Sequence, residues 1–130
     1  MIAVDTNIVV RLVVNDDPEQ ARRAARLFAR DVVFVPKSVI LETEWVLRGA
    51  YRLDRANVNA ALRSFLSLER LVIEDEEVVM NALERHAAGL DFADALHLSC
   101  SSRSEMFYTY DVRLRSTAEI LALHPPVAEP

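Results

Sequence analysis

The sequence predicts an α/β fold, namely a three-layer α/β/α sandwich with a short, mainly parallel central sheet. Short apolar runs rich in β-branched residues, such as VVFV at 32–35, alternate with segments whose apolar residues recur every three or four positions. This alternation is typical of parallel strands joined by helices that cover both faces of the sheet. Apolar residues make up 52% of the 130 residues and charged residues 27%, a balance found in globular chains. Since no internal repeat is visible, we expect one domain over residues 1–130.

Local signals place the strands and helices in the first part of the chain. Residues 2–4 (IAV) predict a buried strand. The next helix begins at Pro18, because Asp17 can cap its N-terminus and Gln20 can complete a capping box. The second strand covers residues 32–35.

The signals continue after the second strand. Pro36 ends that strand, and Ser38 can cap a helix that continues to about Arg52. The remaining elements are a helix beginning at Asp54, a strand at 71–74, a helix stopped by Gly89, a helix at 91–103 and a strand at 106–109. The segment after residue 111 is ambiguous, and residues 125–130 (PPVAEP) are expected to be a loose tail.

Charge and cysteine content narrow the class of protein. The formal net charge of −5 argues against a passive nucleic-acid coat, which is normally basic. The bases are nearly all arginine, whose planar side chain suits phosphate, although a preference for arginine on solvated faces is the simpler explanation. The single cysteine, Cys100, lies in an apolar helical pattern, so we expect a buried, inert thiol and a reducing cytoplasm. Neither a signal peptide nor a run long enough to span a membrane is visible.

Acidic side chains lie where the predicted strands end. Asp5 closes the first strand, and Asp111 follows the last. Glu42 lies one turn into the helix after the second strand, and Asp94 lies in the first turn of another helix. Because the carboxyl ends of parallel strands meet at one edge of a sheet, we expect these four acids to lie close together.

Each of these acids also has an ordinary structural explanation. Asp5 could simply end a strand, and Asp111 could be a turn residue. Asp91 is well placed as a helix N-cap, with Asp94 three residues later, and the helix dipole favours both. Glu42 could be an exposed helix residue. The hypothesis of a site therefore depends on the set of acids and on no single one.

Several neighbouring residues are interpreted structurally. We expect Glu44 to be exposed and to form a solvated ion pair with Arg48, one helical turn later. His97 is expected to be a buried, hydrogen-bonded histidine. Trp45 and Phe92 are expected to lie in the core or in an interface and not to stack on bases.

Clustered carboxylates need a cation, because without one they repel and at least one takes up a proton. An all-oxygen set without thiolates suits Mg²⁺ or Mn²⁺ and does not suit zinc. Such an ion lowers the pKa of a bound water, and two ions about 3.5–4 Å apart form the two-metal arrangement of phosphodiester cleavage.

Four motifs together resemble those of the PIN-domain ribonucleases, in particular the VapC-type toxins of bacterial toxin–antitoxin pairs. They are MIAVDTNIVVRL, ILETEWVL, DFADALHLS and FYTYDVRL, and the resemblance covers residues 1 to about 115. It implies a small α/β/α domain with an acidic, Mg²⁺- or Mn²⁺-dependent site that cuts RNA. It also implies a cognate antitoxin and a homodimer.

The resemblance assigns roles to individual residues. Asp5, Glu42 and Asp94 match the three principal acids of the family, Asp111 matches a more variable fourth, and Asp91 is a peripheral metal candidate. The residues that would orient the acids are Thr6, Asn7 and Thr109. The arginines that flank the site segments and are candidates for RNA binding are Arg11, Arg48 and Arg113. Because water attacks the phosphodiester, products should carry 5′-phosphate and 3′-hydroxyl ends.

One other function is compatible with the sequence, and two further ones fit it poorly. A catalytically silent module of this fold that binds RNA or protein is compatible with the sequence. A phosphoacceptor signalling domain requires a late lysine, but the only lysine is Lys37. A dehalogenase-type phosphatase requires a second Asp two residues after the first, where this chain has Asn7.

Overall fold

The computed structural model describes all 130 residues and contains seven helices and five short strands. In chain order these are β1 (Ile2–Ala3), α1 (Thr6–Val14), α2 (Pro18–Arg30), β2 (Val33–Val35), α3 (Lys37–Gly49), α4 (Arg55–Leu66), β3 (Leu71–Ile73), α5 (Glu76–Ala88), α6 (Phe92–Cys100), β4 (Phe107–Tyr108), α7 (Val112–Ile120) and β5 (Val127–Ala128). Strands and helices alternate and every strand pair is parallel, which confirms the predicted α/β class. The residues group into two compact units, Met1–Glu76 and Glu77–Pro130. The expectation of a single domain stays a prediction.

The first unit is built around a three-stranded parallel sheet. Its strand order is β1-β2-β3, with Ile2 opposite Val33 and Val33 in turn opposite Leu71. The side chains of Val33 and Val35 on the central strand are fully buried, because helices cover this sheet. The carboxyl end of β1 lies two residues before Asp5, as the sequence predicts.

Helix α1 is an element that the sequence analysis does not assign. Its sequence, TNIVVRLVV, is rich in β-branched residues, which favour strands when judged by propensity alone. The structure makes it a helix because Asp5 caps one end and Asn15, in the left-handed conformation at φ 55°, ends the other. Val9 and Val10 are buried on the face of α1 that packs against α2 and α3. Tertiary packing therefore overrides local propensity here.

The helix caps of the first unit agree with the sequence in part. Asp17 accepts a hydrogen bond from the backbone N–H of Gln20 at 3.0 Å, as predicted. The side chain of Gln20 does not complete the capping box, because its oxygen accepts a hydrogen bond from Arg11 at 2.6 Å. The prediction that Ser38 caps α3 is wrong. Pro36 occupies the N-cap position, and the carboxylate of Glu74 accepts the backbone N–H of Lys37 at 2.9 Å.

The core of the first unit lies between the sheet and its helices. Phe28 of α2 and Phe65 of α4 contact edge to face, with ring centroids 5.7 Å apart. The other buried apolar residues that form this core include Ile40, Leu47, Val58 and Leu62. These residues form the apolar faces of α3 and α4. Their burial fixes the rotation of each helix about its own axis.

The second unit combines three helices with a two-stranded parallel sheet. Gly89 adopts φ +125°, a conformation that residues with a side chain rarely adopt, and thereby ends α5 where the sequence predicts. Strand β4 pairs with β5, so that Phe107 lies opposite Val127 and Tyr108 opposite Ala128. The segment expected to be a loose tail thus contains a strand.

Buried apolar residues of α5, α6 and α7 form the core of the second unit. The ring of His86 is buried and contacts Phe92 edge to face at 5.5 Å, which gives this histidine a structural partner. Cys100, however, is exposed, which corrects the expectation of a buried thiol. Cys100 lies one turn after the exposed His97, on the face of α6 opposite the core. No helix in the structure has both the length and the apolar character needed to cross a bilayer.

Candidate active site

Asp5 lies at the junction between a strand and a helix. It follows β1, has an extended backbone and serves as the N-cap of α1, where its carboxylate accepts the backbone N–H of Thr6 at 2.7 Å. An acidic side chain at this position interacts favourably with the helix dipole. The side chain of Asp5 remains exposed. Asp5 is therefore both a structural cap and an accessible anionic group.

Glu42 of α3 and Asp5 line the same cavity. The cavity has a volume of about 330 Å³ and is also lined by Thr6 and Asn7. Glu42 is exposed. Thr6 is buried and Asn7 is exposed, and these two of the three residues predicted to orient the acids line the cavity with Asp5. The structure thus brings together the two candidate acids of the first unit.

The acids of the second unit form another group. Asp91 is the N-cap of α6, and its carboxylate accepts the backbone N–H of Asp94 at 3.2 Å. The pKa of Asp94 is raised above its ordinary value, first by burial and then by the negative charges of Asp91 and Asp111. The nearby His97 partly opposes this effect. The carboxylates of Asp91 and Asp111 are therefore close enough to repel that of Asp94.

Thr109 positions Asp111 through the backbone. The hydroxyl of Thr109 accepts the backbone N–H of Asp111 at 3.1 Å, and the carboxylate of Asp111 accepts the N–H of Leu114 at 3.0 Å. Asp111 is thereby the N-cap of α7. The backbone N–H of Thr109 in turn donates a hydrogen bond of 2.9 Å to the carbonyl oxygen of Ala128. Strand β5 therefore supports the segment that carries this acid.

Most of the candidate acids lie at the N-terminus of a helix. Asp5, Asp91 and Asp111 are N-caps of α1, α6 and α7, and Asp94 lies in the first turn of α6. The acids fall into two groups that belong to different compact units. No cluster of three or more His, Cys, Asp or Glu side chains is arranged to hold a metal ion.

The candidate RNA-binding arginines differ in their surroundings. Arg11 is held by Asp16 at 2.9 Å and by Gln20 at 2.6 Å, so its charge is largely balanced within the chain. Arg48 donates to Glu44 at 2.8 Å, and Arg113 is exposed on the first turn of α7. Arg113 is the one of these three arginines that forms no salt bridge.

Two structural expectations near the acids are wrong. Glu44 is buried, although its predicted pair with Arg48 is present. His97 is exposed and does not lie in the core. Trp45 is 64% exposed and so lies outside the core, and its place in an interface stays a prediction, whereas Phe92 is fully buried as expected. Helical periodicity shows which residues share a face, but it did not identify which face packs inward on α3 and α6.

The structure also contains a polar network that the sequence analysis misses. The hydroxyl of Tyr51 donates to Asp16 at 2.8 Å and accepts from Arg11 at 3.2 Å. The pKa of Tyr51 is raised, first because Asp16 accepts the hydrogen bond of its neutral form. Asp16 and Tyr51 are 35 residues apart, and no local sequence signal connects them.

Comparisons with known proteins bear on the family of this chain. The family model described as PIN domain matches residues 2–120. Among solved structures, VapC20 of Mycobacterium tuberculosis, described as a toxin that cleaves the sarcin–ricin loop, is similar with 22% identity and a TM-score of 0.43. That alignment covers 89% of this chain and 94% of VapC20. No match is found among curated proteins.

Proposed function

Because this chain belongs to the PIN domain family, whose model matches residues 2–120, we propose that it is a metal-dependent endoribonuclease. In this proposal Asp5, Glu42, Asp94 and Asp111 are the catalytic acids, with Asp91 in a peripheral role. The observation that carries the proposal is the environment of Asp94, whose pKa is raised first by burial and then by the neighbouring carboxylates of Asp91 and Asp111. Perturbed pKa values cluster at functional sites, because catalytic groups need pKa values matched to their task.

The donor chemistry of these residues fits a hard divalent cation. The candidate ligands are all carboxylate oxygens, which Mg²⁺ and Mn²⁺ prefer, and no thiolate lies among them. A divalent cation also relieves the repulsion that Asp94 experiences from Asp91 and Asp111. When bound, the ion supplies Lewis-acid activation of a water and charge stabilisation of the phosphate.

The side chains of this chain hold and orient the reacting groups. Asp5 and Asp111 are fixed by helix N-termini, so each carboxylate has one oxygen engaged by a backbone N–H. Such fixed carboxylates lose little conformational entropy on binding, which is the advantage of a preorganised site. Thr109 orients Asp111 through its backbone, and Thr6 and Asn7 lie beside Asp5 in the cavity. Attack by water leaves 5′-phosphate and 3′-hydroxyl ends.

We further propose that the protein is the toxin of a type II toxin–antitoxin pair and acts in the cytoplasm. The resemblance of its motifs to the VapC-type toxins supports this proposal, as does a single cysteine that cannot form an internal disulfide. The proposed partners are an RNA substrate, a cognate antitoxin protein and a second copy of this chain. Growth arrest on expression, relieved by the Asp5→Asn change, is the expected cellular result.

Incubation of the purified chain with total RNA tests the proposed activity. We expect cleavage in Mg²⁺ or Mn²⁺, no cleavage in EDTA, and new ends that carry 5′-phosphate and 3′-hydroxyl groups when sequenced. Asp5→Asn should reduce cleavage by at least about 100-fold. Because Asn caps helices as well as Asp does, this change removes the charge and keeps the cap.

The matched control is Asp54→Asn. Asp54 caps α4 by accepting the N–H of Asn57 at 2.8 Å and lines no candidate site, so its variant should cleave RNA at the rate of the unmodified chain. Cleavage that is equal in EDTA, or products with 2′,3′-cyclic phosphate, would contradict the proposed mechanism. Binding of RNA without any cleavage would instead support the alternative of a silent binding module.

A further inference from the structure

The cavity that contains Asp5 and Glu42 extends beyond these acids. Its walls also include Val10, Val46 and Tyr51, and we refer to it as the Tyr51 cavity. Its volume of about 330 Å³ lies at the lower end of the range of about 300–1,000 Å³ found for small-ligand sites. A group that enters the Tyr51 cavity therefore lies directly beside the candidate catalytic acids.

The walls of the Tyr51 cavity combine small apolar side chains with two planar groups. Val10 and Val46 supply apolar surface, and Ala50 leaves space because its side chain is a single methyl group. The planar groups are the phenol ring of Tyr51 and the guanidinium of Arg11. Unpaired nucleobases stack on aromatic rings and on arginine planes, so this lining suits a flat ring.

Hydrogen bonds hold both planar groups in place before any ligand arrives. The Tyr51 hydroxyl donates to Asp16 at 2.8 Å, and Arg11 donates to Asp16 at 2.9 Å and to the Tyr51 hydroxyl oxygen at 3.2 Å. Gln20 accepts the remaining bond, from Nε of Arg11, at 2.6 Å. A wall that is already ordered binds a ligand without the entropic cost of ordering it.

The charge balance of the cavity favours an uncharged group over a phosphate. The carboxylate of Asp16 compensates the guanidinium of Arg11, with 2.9 Å between the nitrogen and oxygen atoms. A phosphate against the Arg11 wall would find no uncompensated cation, because Asp16 already pairs with that guanidinium. A neutral base requires no cation there.

We infer that the Tyr51 cavity is a nucleobase subsite, which takes one unstacked base of a single-stranded RNA next to the phosphodiester that is cut. The inference rests on the proposed ribonuclease function and adds the place where one base is held, which a duplex cannot fill because its bases stay stacked. Tyr51 and Arg11 form the stacking surfaces of this subsite. Asp16 and Gln20 act as positioning residues, because they reach the base only through Arg11 and Tyr51.

Abasic substrates test the subsite directly. Short single-stranded RNAs are prepared around the mapped cleavage site, each with one base near the scissile bond replaced by an abasic ribose, and kcat/KM is measured in Mn²⁺. For one position we expect the unmodified chain to prefer the intact RNA by about 5- to 150-fold, the effect of losing one stacked base. A chain that shows no preference at any position overturns the inference.

Three variants connect that preference to the cavity. Ala50→Phe fills the space and Tyr51→Ala removes the ring, so each should reduce the ratio of intact to abasic kcat/KM to near one. Tyr51→Phe keeps the ring and should retain most of the preference. The matched control is Ala60→Phe, the same change at an exposed position of α4 outside the cavity, which should leave the ratio unchanged.

The outcomes separate this inference from the proposed function. If Ala50→Phe and Tyr51→Ala keep the full preference, the cavity does not bind the base, as expected if it receives a protein partner. Binding of the same intact and abasic RNAs is also measured by fluorescence anisotropy in Ca²⁺. If the chain cleaves no RNA, the proposed function fails, but a cavity-dependent preference in binding still supports the subsite. If the chain neither cleaves nor binds RNA, both are overturned.

Discussion

Nε of Arg48 donates a hydrogen bond of 2.8 Å to the carboxylate of Glu44, whose side chain is almost completely buried. The two residues lie one turn apart on α3, the helix that also carries the exposed Glu42. The side chain of Arg48 is 50% exposed, so the pair joins a buried anion to a cation at the surface. No other ion pair on α3 joins residues four positions apart.

Arg48→Ala should destabilise the protein, because it leaves the carboxylate of Glu44 buried without its cation. Breaking a buried pair from one side costs about 3–5 kcal/mol, and we expect about 3 kcal/mol here because Arg48 is half exposed. Urea unfolding measures the change. The double variant Glu44→Gln, Arg48→Ala should recover part of the loss, since no buried charge remains. A double variant as unstable as the sum of both single changes would contradict this account.

Asp94→Asn should stabilise the metal-free chain at neutral pH. An acid whose pKa is raised by folding favours the folded state only while it is protonated, and this contribution is lost as the pH rises through the raised pKa. At pH 7 the unmodified chain therefore carries an unfavourable charge that the variant lacks. We expect a higher thermal midpoint for Asp94→Asn in EDTA at pH 7, and a difference that disappears toward about pH 4.

Circular dichroism melts between pH 4 and 8 measure this difference. Mg²⁺ should raise the midpoint of the unmodified chain and have little effect on Asp94→Asn, because the variant has lost a ligand. An equal or lower thermal midpoint for the variant at pH 7 would show that Asp91 and Asp111 do not destabilise the folded chain by repelling Asp94.

Two substitutions at Asp111 separate its chemical role from its structural one. Asp111→Asn keeps the cap on α7, because an amide oxygen can also accept the N–H of Leu114. We expect it to reduce RNA cleavage by at least about 10-fold with little loss of stability. Asp111→Ala should lose the same activity and about 1 kcal/mol of stability in addition. Equal activity of Asp111→Asn and the unmodified chain would exclude Asp111 from the site.

Deletion of residues 126–130 should destabilise the second unit and reduce activity. The carbonyl oxygens of Pro126 and Ala128 accept the amides of Phe107 and Thr109, each at 2.9 Å, and Glu129 pairs with Arg115 at 2.7 Å. Loss of β5 exposes the edge of β4 just before Asp111. Hydrogen exchange should show slow amides at Phe107 and Thr109 in the full chain and fast ones after truncation. Removal of Pro130 alone is the control and should change neither amide.

Much of the fold is readable from the sequence because its signals are local. Asp17, Asp54 and Asp91 each accept the backbone N–H three residues later, as the cap patterns predict. The three strands of the first sheet also lie within one residue of their predicted ends. A cap or a short β-branched run involves only a few neighbouring residues, so the chain itself contains the information.

Where the structure departs from the prediction, a distant partner is responsible. Glu74 caps α3 instead of Ser38, although it is 37 residues from the amide that it accepts. Strand β5 exists because it pairs with β4, and the isolated segment PPVAEP has little tendency to form a strand. For the same reason, local sequence signals do not predict the contact between Tyr51 and Asp16.

By itself, then, the sequence determined the order of most helices and strands, the positions of the acids and the motifs of the PIN domain family. Only the tertiary structure decided that Glu44 is buried, that Trp45 is exposed and that Arg11 is compensated by Asp16. The physical reason is that caps and periodicity depend on neighbours along the chain. Burial and charge compensation depend instead on neighbours in space, which the chain acquires only when its helices pack.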